Sequence, residues 1–433
     1  MNKEKQEPAL SGVERIVPEL RFPDFENDRG WEEKTIDDIK TIVTDYVANG
    51  SFASLKENVK VVNSEDYAYY IRLTDLRAGL GHKAQRYVTK KSYDFLKKSS
   101  LSGDEILMAN IGANVGEIWQ MPKVDKPSSL APNMIMAKFT GNAVNKFIYY
   151  FLKSEFGKRN IAITISGNAH PKINKTEFKQ VKVILPNNKQ EQQKIANCLS
   201  SLDNLITAET EKLDHLKDHK KGLLQQLFPA NGETKPQFRF PEFKNDGDWE
   251  EKEIGEKFRF KQGVQVSINN QHTTKEDGMV RFIRIIDITS NSEPPRYIND
   301  PGADHIINKE DLFMIRYGTP GAISIGFDGV IANNLFRLIW KSKETINSLF
   351  WYYAFQKMEK KIYNLSGSSS MPAISFSTLN HLGIKFPKNP KEQKKIANCL
   401  ASADDLIEAQ EIKIKALKKH KKGLMQKLFP HTI

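Results

Sequence analysis

This chain carries one long segment twice, first as EQQKIANCLSSLDNLITAETEKLDHLKDHKKGLLQQLFP at residues 191–229 and then as EQKKIANCLASADDLIEAQEIKIKALKKHKKGLMQKLFP at residues 392–430. More than half of the aligned positions are identical. A shorter motif precedes each copy, PELRFPDFENDRGWEEK from Pro18 and PQFRFPEFKNDGDWEEK from Pro236. Self-similarity on this scale indicates a duplicated architecture. Each half of the chain therefore comprises an arm, a variable region and a near-constant segment.

Each near-constant segment has the pattern of a long amphipathic helix. Its apolar residues alternate at spacings of four and three, at Ile195, Leu199, Leu202, Ile206, Leu213, Leu216, Leu223 and Leu227 and again at Ile396, Leu400, Ala403, Ile407, Ile414, Leu417, Leu424 and Leu428. This is the a/d pattern of a coiled coil. Four polar residues fill its gaps at equivalent places in the two copies: Glu209, Lys220, Gln410 and Lys421. A proline ends each helix, because proline cannot continue the hydrogen-bond ladder.

The narrow apolar stripes of these two helices must be buried. We expect the helices to pair antiparallel within one chain, an arrangement that relates the two halves by a pseudo-two-fold axis. Pairing across the two chains of a homodimer is the alternative. The antiparallel register sets Ile195 opposite Leu428 and Cys198 near Met425. By the same pseudo-symmetry, the arm at Pro18 should lie beside the end of the second helix.

The variable regions predict globular domains of mixed secondary structure. Short segments rich in β-branched and aromatic residues are typical of strands, namely YAYYIRLTDL, ILMANIG, MIMAKF and VKVILP in the first half and VRFIRIIDI, LFMIRYG, ISIGF, LFRLIW and GIKFP in the second. Two segments predict helices, Asn145–Arg159 and Glu344–Tyr363.

The fold class that follows is α+β. We expect two similar domains of mixed β-sheet with helices, joined by two long antiparallel coiled-coil helices in a pseudo-two-fold arrangement. The boundaries are 1–188 for the N-terminal arm and first domain, 189–229 for the first helix, 230–389 for the second arm and domain, and 390–433 for the second helix.

Charge and apolar content restrict the class of protein. Lys and Arg number 65 against 53 Asp and Glu, and the net charge of +12 fits a polyanionic partner. Two cysteines can form neither a disulfide framework nor a four-ligand zinc site. No apolar run approaches the ~18 residues of a membrane span, and the charged N-terminus lacks an apolar signal core. We therefore expect a soluble cytoplasmic protein without a membrane partner.

The catalytic motifs that the chain imitates are incomplete. Glu293–Tyr297 resembles the Asn/Asp-Pro-Pro-aromatic motif of amino-methyltransferases, but Arg296 stands where an aromatic ring must stack on the flipped base. His215 and His219 have a metal-ligand spacing, but the second copy keeps only His420. A GxxxxGK[ST] phosphate loop does not occur. We expect no catalysis, no metal and no cofactor on this chain.

The chain resembles the specificity subunit of type I restriction–modification systems from Pro18 to Pro430. The resemblance lies in its duplicated plan, its RFPDF and RFPEF arms that end in Trp-Glu, its EQ-K-IA-L helix starts and its KKGL-Q-LFP helix ends. It implies a non-catalytic subunit that recognises an asymmetric bipartite site in double-stranded DNA. Each domain would be a target-recognition domain for one half-site, with the helices as spacer.

The same resemblance implies protein partners. Two modification (methyltransferase) subunits would dock on this chain, and restriction subunits would join them. S-adenosylmethionine, ATP and magnesium would be bound by these partner subunits and not by this chain.

Candidate DNA-binding residues lie at the loop ends of predicted strands, because Arg and Lys can read guanine while Asn and Gln can read adenine. They are Arg72, Arg77, Asn110, Asn114, Asn168, His170 and Lys172 in the first domain, and Arg284, Arg316, Tyr317, Thr319, Ser368, Ser369 and Ser370 in the second. A structural or phosphate-binding role is the alternative for each. Helix lysines could also contact phosphates, with a solvated or partner-binding helix face as the alternative: Lys413, Lys415, Lys418, Lys419, Lys421 and Lys422.

Three other classes of protein fit parts of the pattern. A stand-alone bipartite DNA-binding regulator would use the same two domains without enzyme partners, and neighbouring genes would distinguish it. A nuclease would use Asp24 and Glu32, and would cleave DNA with magnesium until Asp24 is replaced. A protein–protein scaffold would have no affinity for DNA even in the presence of its partners.

Overall fold

The structure is a computed structural model that describes residues 16–167, 170–290, 292–342, 346–367 and 372–430. Its contacts divide the chain into two units, residues 1–209 with 413–433 and residues 210–412. Both boundaries fall inside the long helices. Each unit therefore combines an arm, a globular domain, the beginning of one long helix and the end of the other.

The first unit is built on three sheets in its described residues. Its strands are β1 (Glu32–Thr35), β2 (Thr41–Asp45), β3 (Val61–Val62), β4 (Ala68–Ile71), β5 (Arg86–Val88), β6 (Ser100–Leu101), β7 (Ile106–Ala109), β8 (Ile118–Gln120), β9 (Ser128–Leu130), β10 (Met134–Phe139) and β11 (Lys182–Leu185). An antiparallel sheet has the order β2-β10-β7-β8, and a mixed sheet has the order β3-β5-β4-β9-β6 with β4 parallel to β9. The pair β1-β11 completes the set.

In the described residues of this unit, six short α-helices and one long α-helix accompany these strands. They are α1 (Phe52–Asn58), α2 (Leu73–Ala78), α3 (Lys90–Phe95), α4 (Asn145–Lys153), α5 (Glu155–Thr164), α6 (Lys175–Lys179) and α7 (Lys189–Leu227). The helix expected over Asn145–Arg159 is broken at Ser154. Its extended backbone lets its hydroxyl accept the Gly157 N–H and begin α5.

The second unit has its own set of elements. Its strands are β12 (Glu250–Glu253), β13 (Phe258–Gln262), β14 (Met279–Ile283), β15 (Arg296–Asn299), β16 (Ile306–Ile307), β17 (Leu312–Ile315), β18 (Ile323–Ser324), β19 (Gly329–Ile331), β20 (Leu335–Trp340) and β21 (Gly383–Phe386). Its helices are α8 (Ile254–Lys257), α9 (Ile285–Thr289), α10 (Ser348–Asn364), α11 (Phe376–Asn380) and α12 (Pro390–Leu428).

The two domains share one topology. The order β13-β20-β17-β18 matches the antiparallel sheet of the first domain, and β15-β14-β19-β16 matches its mixed sheet, with β14 parallel to β19. The pair β12-β21 matches β1-β11. The expected α+β class and mixed sheets are confirmed.

Two predicted strands end earlier than the sequence pattern indicated. The runs YAYYIRLTDL and VRFIRIIDI leave the sheet after Ile71 and Ile283 and continue as α2 and α9. The reason is local, because the Asp75 carboxylate accepts the Arg72 backbone N–H at 2.8 Å and caps the helix start. Asp287 repeats this cap. Both aspartates therefore cap the first turn of a helix.

The long helices pair antiparallel, and each unit shows this separately. In the first unit, Asp203 of α7 forms an ion pair with Lys421 of α12, and Glu209 of α7 forms one with Lys413. A residue further along α7 therefore meets a residue earlier in α12, as antiparallel helices require. In the second unit, Lys217 and Lys220 pair with Glu411 and Asp404 in the same descending order. At 39 residues each, the helices span about 58 Å at 1.5 Å per residue.

The ends of the long helices belong to the hydrophobic cores of the domains. Ile195 and Leu428 lie in one cluster with Trp31, as the antiparallel register requires. Met425 packs against the same cluster. Further along the helices most residues of the a/d stripe are half-buried, whereas Ala403 and Ile414 are buried.

The first arm crosses the C-terminal end of α12, and the second arm crosses the C-terminal end of α7. The backbone N–H of Leu20 donates to the carbonyl oxygen of Lys427 at 2.9 Å, and Phe238 donates to Gln226 at the same distance. These bonds use carbonyl groups that a helix end leaves without partners. The expectation that the Pro18 arm lies beside the end of the second helix is therefore confirmed.

Candidate DNA interface

One end of the antiparallel sheet gathers the polar loops of each domain. In the first domain, the register pairs the start of β10 with the ends of β2 and β7, through Ile135 with Asp45 and Met134 with Ala109. The connections that follow β2 and β7 and precede β10 therefore emerge together. We name this surface the loop end of the first domain. In the second domain β13, β17 and β20 create the corresponding loop end.

A guanidinium lies on the exposed side of the first loop end. Arg77, at the end of α2, forms an ion pair with Glu117 and donates to the Asn114 side-chain oxygen at 2.8 Å. Its side chain is 43% exposed. The Arg77 hydrogen bond is the main cause that holds the pKa of Glu117 below its usual range. The structure thus brings the Arg77 guanidinium and the Asn114 side-chain amide together, with Glu117 holding the guanidinium in place.

Arg72 is held more tightly than Arg77. Its guanidinium donates to both oxygens of Asp75 at 2.9 and 2.6 Å and to the Ala84 carbonyl at 2.7 Å. Burial disfavours ionisation of the Asp75 carboxyl, but hydrogen bonds from Arg72 and His82 outweigh it, so its pKa is lowered. The Arg72 side chain stays 25% exposed. The hydrogen bonds from its guanidinium to Asp75 and Ala84 hold the start of α2 in its orientation.

Arg284 occupies the same place in the second domain. It donates to Asp287 at 3.0 Å and to Glu293 at 2.8 Å, and its side chain is 16% exposed. The EPPRY string that begins at Glu293 therefore supplies a carboxylate to this arginine. Arg72 and Arg284 are therefore each tied to the helix that they begin, and all three nitrogens of the Arg284 guanidinium donate hydrogen bonds.

The loop after β7 pairs with a second loop that precedes α6. The Gly112 N–H donates to the Pro171 carbonyl and the Ile173 N–H to the Asn110 carbonyl, each at 3.0 Å. Gly112 has φ of 84°, which suits glycine at this turn. The pairing leaves the His170 and Lys172 side chains exposed. Asn110, His170 and Lys172 therefore come together, while Asn168 lies outside the described residues.

The second domain repeats this pairing with different side chains. The Gly318 N–H donates to the Pro372 carbonyl at 3.0 Å, and Tyr317 bridges to Ala373. Arg316, where the first domain has Asn110, donates to the Gln262 side-chain oxygen at 2.6 Å and lies 4.4 Å from the Phe376 ring centre.

The remaining candidates of the second domain lie on or beyond the same loop. Tyr317 is half-buried and Thr319 is exposed. Three others fall outside the described residues, namely Ser368, Ser369 and Ser370. The second loop end thus carries an arginine held on an aromatic ring, where the first carries an amide.

Several residues of these loop ends were not found from the sequence. Glu117 holds Arg77 in place, and Gln262 holds Arg316. Each pair is far apart in the chain, so no sequence pattern indicates that its two residues meet. Two apolar side chains, Phe52 after β2 and Ile268 after β13, are 82% and 75% exposed. Each follows a serine at the start of a short helix, and this matched Ser-apolar pair is a signal that the sequence did contain.

The helix lysines divide into two groups. Lys413 and Lys421 are engaged in ion pairs with Glu209 and Asp203 of the opposite helix. Lys415, Lys418, Lys419 and Lys422 are exposed. The helix surface therefore offers fewer free ammonium groups for phosphates than its six lysines suggested.

The residues considered for catalysis form ion pairs with lysines. The Asp24 carboxylate forms an ion pair with Lys194, and Glu32 with Lys34. Within the described ranges there is no group of three or more His, Cys, Asp and Glu that could hold a metal ion. Among the helices described, none is both long and apolar enough to cross a membrane.

Comparison with known proteins identifies the family. Residues 28–218 and 246–419 each match the family model of the type I restriction modification DNA specificity domain. A Methanocaldococcus jannaschii relative, named for the specificity subunit of type I restriction enzyme MjaX, is 29% identical, with 79% of this chain and 81% of the relative covered. The MjaVIII specificity subunit of the same organism is 25% identical over 85% of this chain and 87% of the relative.

Two solved structures share the fold. The S subunit of a type I restriction–modification system from M. genitalium has a TM-score of 0.62 at 17% identity, and covers 96% of this chain and 100% of that one. A chain from a study of complex assembly of the type I R-M system has a TM-score of 0.55 at 14% identity, over 93% and 98%. The chain belongs to the family of type I restriction–modification DNA specificity subunits, and it carries two specificity domains.

Proposed function

We propose that each loop end reads one half of an asymmetric, bipartite site in double-stranded DNA. The observation that supports this is a shared topology with different side chains: Asn110 and Lys172 in one domain stand where Arg316 and Ala373 stand in the other. Amide and guanidinium groups select different bases in the major groove. Two domains that differ in this way would recognise two different half-sites.

The subunit would act by positioning other proteins. Its two modification subunits would bind S-adenosylmethionine and methylate the DNA, and restriction subunits would bind ATP and magnesium. This chain would itself catalyse no reaction and would work in the cytoplasm. A stand-alone regulator is not favoured, because the relatives are named as subunits of restriction enzymes.

Domain exchange tests this function. Residues 35–186 are replaced by the corresponding domain of a relative, the complex is reconstituted with its modification subunits, and the methylated bases are mapped. One half of the methylated site should change and the other should persist. The matched exchange of the second domain should change the opposite half. A single exchange that alters both halves would contradict separate reading.

The isolated chain provides the catalytic control. Purified subunit incubated with DNA and S-adenosylmethionine should transfer no methyl groups, whereas the reconstituted complex should. Methyl transfer by the subunit alone would overturn the non-catalytic role. Cleavage of DNA by the subunit with magnesium, lost on Asp24→Ala, would favour the nuclease alternative.

A further inference from the structure

A carboxylate on the first long helix joins three elements of the first unit. Asp203 of α7 accepts a hydrogen bond from the Tyr150 hydroxyl of α4 at 2.7 Å, and its other oxygen lies 2.5 Å from the Lys421 ammonium of α12. The same ammonium lies 5.2 Å from the centre of the Tyr150 ring. One aspartate therefore connects the globular domain to both long helices. We name these three side chains the first clasp.

The second unit contains the same arrangement with the helices exchanged. Asp404 of α12 accepts from the Tyr353 hydroxyl of α10 at 2.7 Å and lies 2.6 Å from Lys220 of α7. The Lys220 ammonium lies 5.4 Å from the Tyr353 ring centre. We name this set the second clasp. The tyrosine has persisted in two variable regions that have diverged in most other side chains.

Both lysines interrupt the apolar stripe of the long helices. Lys220 and Lys421 occupy positions where the coiled-coil pattern calls for an apolar residue. A polar residue at such a position lowers stability but specifies register, because it must meet its partner across the pair. Here the partner is an aspartate that is itself bound to a domain. Each lysine therefore connects the register of the helix pair to the position of a globular domain.

The tyrosines are suited to fixed hydrogen bonds. Tyr150 and Tyr353 are only 3% and 1% exposed, so a hydroxyl there needs a partner. Burial is the main cause that raises the pKa of both phenols, and the aspartates raise it further. Each tyrosine therefore stays protonated at physiological pH and donates. The aspartates remain available to accept from the lysines with their second oxygen.

We propose that each clasp is a positioning device that fixes the tilt of its recognition domain on the helix pair. Loosening a clasp lets that domain move relative to its own helices, and the subunit then accepts half-site spacings that it normally rejects. This inference rests on the proposed bipartite recognition of DNA. It assigns Tyr150, Asp203 and Lys421, with Tyr353, Asp404 and Lys220, as positioning residues that contact no base.

The chain offers closely matched variants for a test. Tyr150→Phe and Tyr353→Phe remove only the hydroxyl of a clasp. Tyr149→Phe and Tyr352→Phe are the controls, since these neighbours accept hydrogen bonds from Lys153 and Gln356 and make none of the clasp bonds. All variants are assembled with the modification subunits, and melting temperatures establish that each complex is folded.

The readout is the discrimination between spacer lengths. Binding is measured to the native site, determined by methylation mapping, and to sites with a spacer one base pair shorter or longer. Loss of a hydrogen bond to a charged group should reduce the preference for the native spacer by about tenfold in each clasp variant. The controls should keep the wild-type preference. The double variant Tyr150→Phe/Tyr353→Phe should show a larger reduction than either single change.

Two results would overturn the inference. One is an unchanged spacer preference in the single and double clasp variants. The other is an equal loss of affinity for all spacers, which is what a purely stabilising role would produce. Failure of the proposed function is distinguishable, because a wild-type complex would then show no site-specific binding at all.

Discussion

The guanidinium of Arg21 and the carboxylate of Glu191 form a two-bond ion pair, with N–O distances of 2.7 and 2.8 Å. Their side chains are 6% and 0% exposed, and the Trp31 indole donates to the same carboxylate at 3.1 Å. Arg239, Trp249 and Glu392 repeat this arrangement in the second unit. In both copies, a buried charge pair fastens an arm to the start of a long helix.

Breaking this pair should be strongly destabilising. Arg21→Met leaves the Glu191 carboxylate buried without its cation, which should lower the free energy of unfolding by about 3–5 kcal/mol. Chemical denaturation followed by far-ultraviolet circular dichroism measures this. Lys90→Ala is the control, because its ion pair with Asp94 is exposed and screened by solvent, so its loss should change the free energy of unfolding far less. Equal effects of the two changes would contradict a fastening role.

Asp75 should make stability depend on acidic pH. Its folded pKa lies below the unfolded value of about 3.9, so its contribution is present above the unfolded pKa and is lost as pH falls through the folded pKa. Asp75→Asn should therefore cost about 1–3 kcal/mol at neutral pH and less near pH 3. Denaturant titrations of both proteins at the two pH values check this. A cost that is independent of pH would mean that the charge of Asp75 contributes nothing.

We expect the exposed guanidinium of Arg77 to contact a base in one half-site. Arg77→Ala should weaken binding to the native site by roughly tenfold and relax discrimination in one half-site, because arginine can read guanine through two hydrogen bonds that alanine cannot make. The measurement is competition between the native site and DNA altered in either half. Arg316→Ala should affect the other half-site. Weaker binding with unchanged base preference would show that Arg77 contacts phosphates only.

The two thiols should react slowly. Burial raises the pKa of Cys198 and Cys399, so less thiolate is present at pH 8 and alkylation by iodoacetamide should lag behind that of an exposed cysteine. Ala208→Cys and Ala409→Cys supply exposed references on the same helices. Mass spectrometry of timed samples gives the rates. Native cysteines that react as fast as these references would contradict burial within the helix pair.

Local sequence was sufficient for the elements whose pattern repeats along the chain. The four-three alternation from Ile195 to Leu227 predicted α7, because a helix brings residues at that spacing onto one face. The same stripe in the second copy predicted the antiparallel partner and its register. The arms were predictable from duplication, since the position of Pro236 after one helix implied that of Pro18 beside the other.

Tertiary structure alone decided which polar side chains meet. Arg77 reaches Glu117 across 40 residues, and Tyr150 reaches Asp203 across 53. Such pairs leave no periodic trace, because each depends on how a whole sheet is twisted and docked. The sequence identified Lys220 and Lys421 as breaks in an apolar stripe, but only packing supplied the aspartate and tyrosine that surround each. Hydrophobic periodicity is a local property of the chain, whereas the partner of a buried charge is selected by the completed fold.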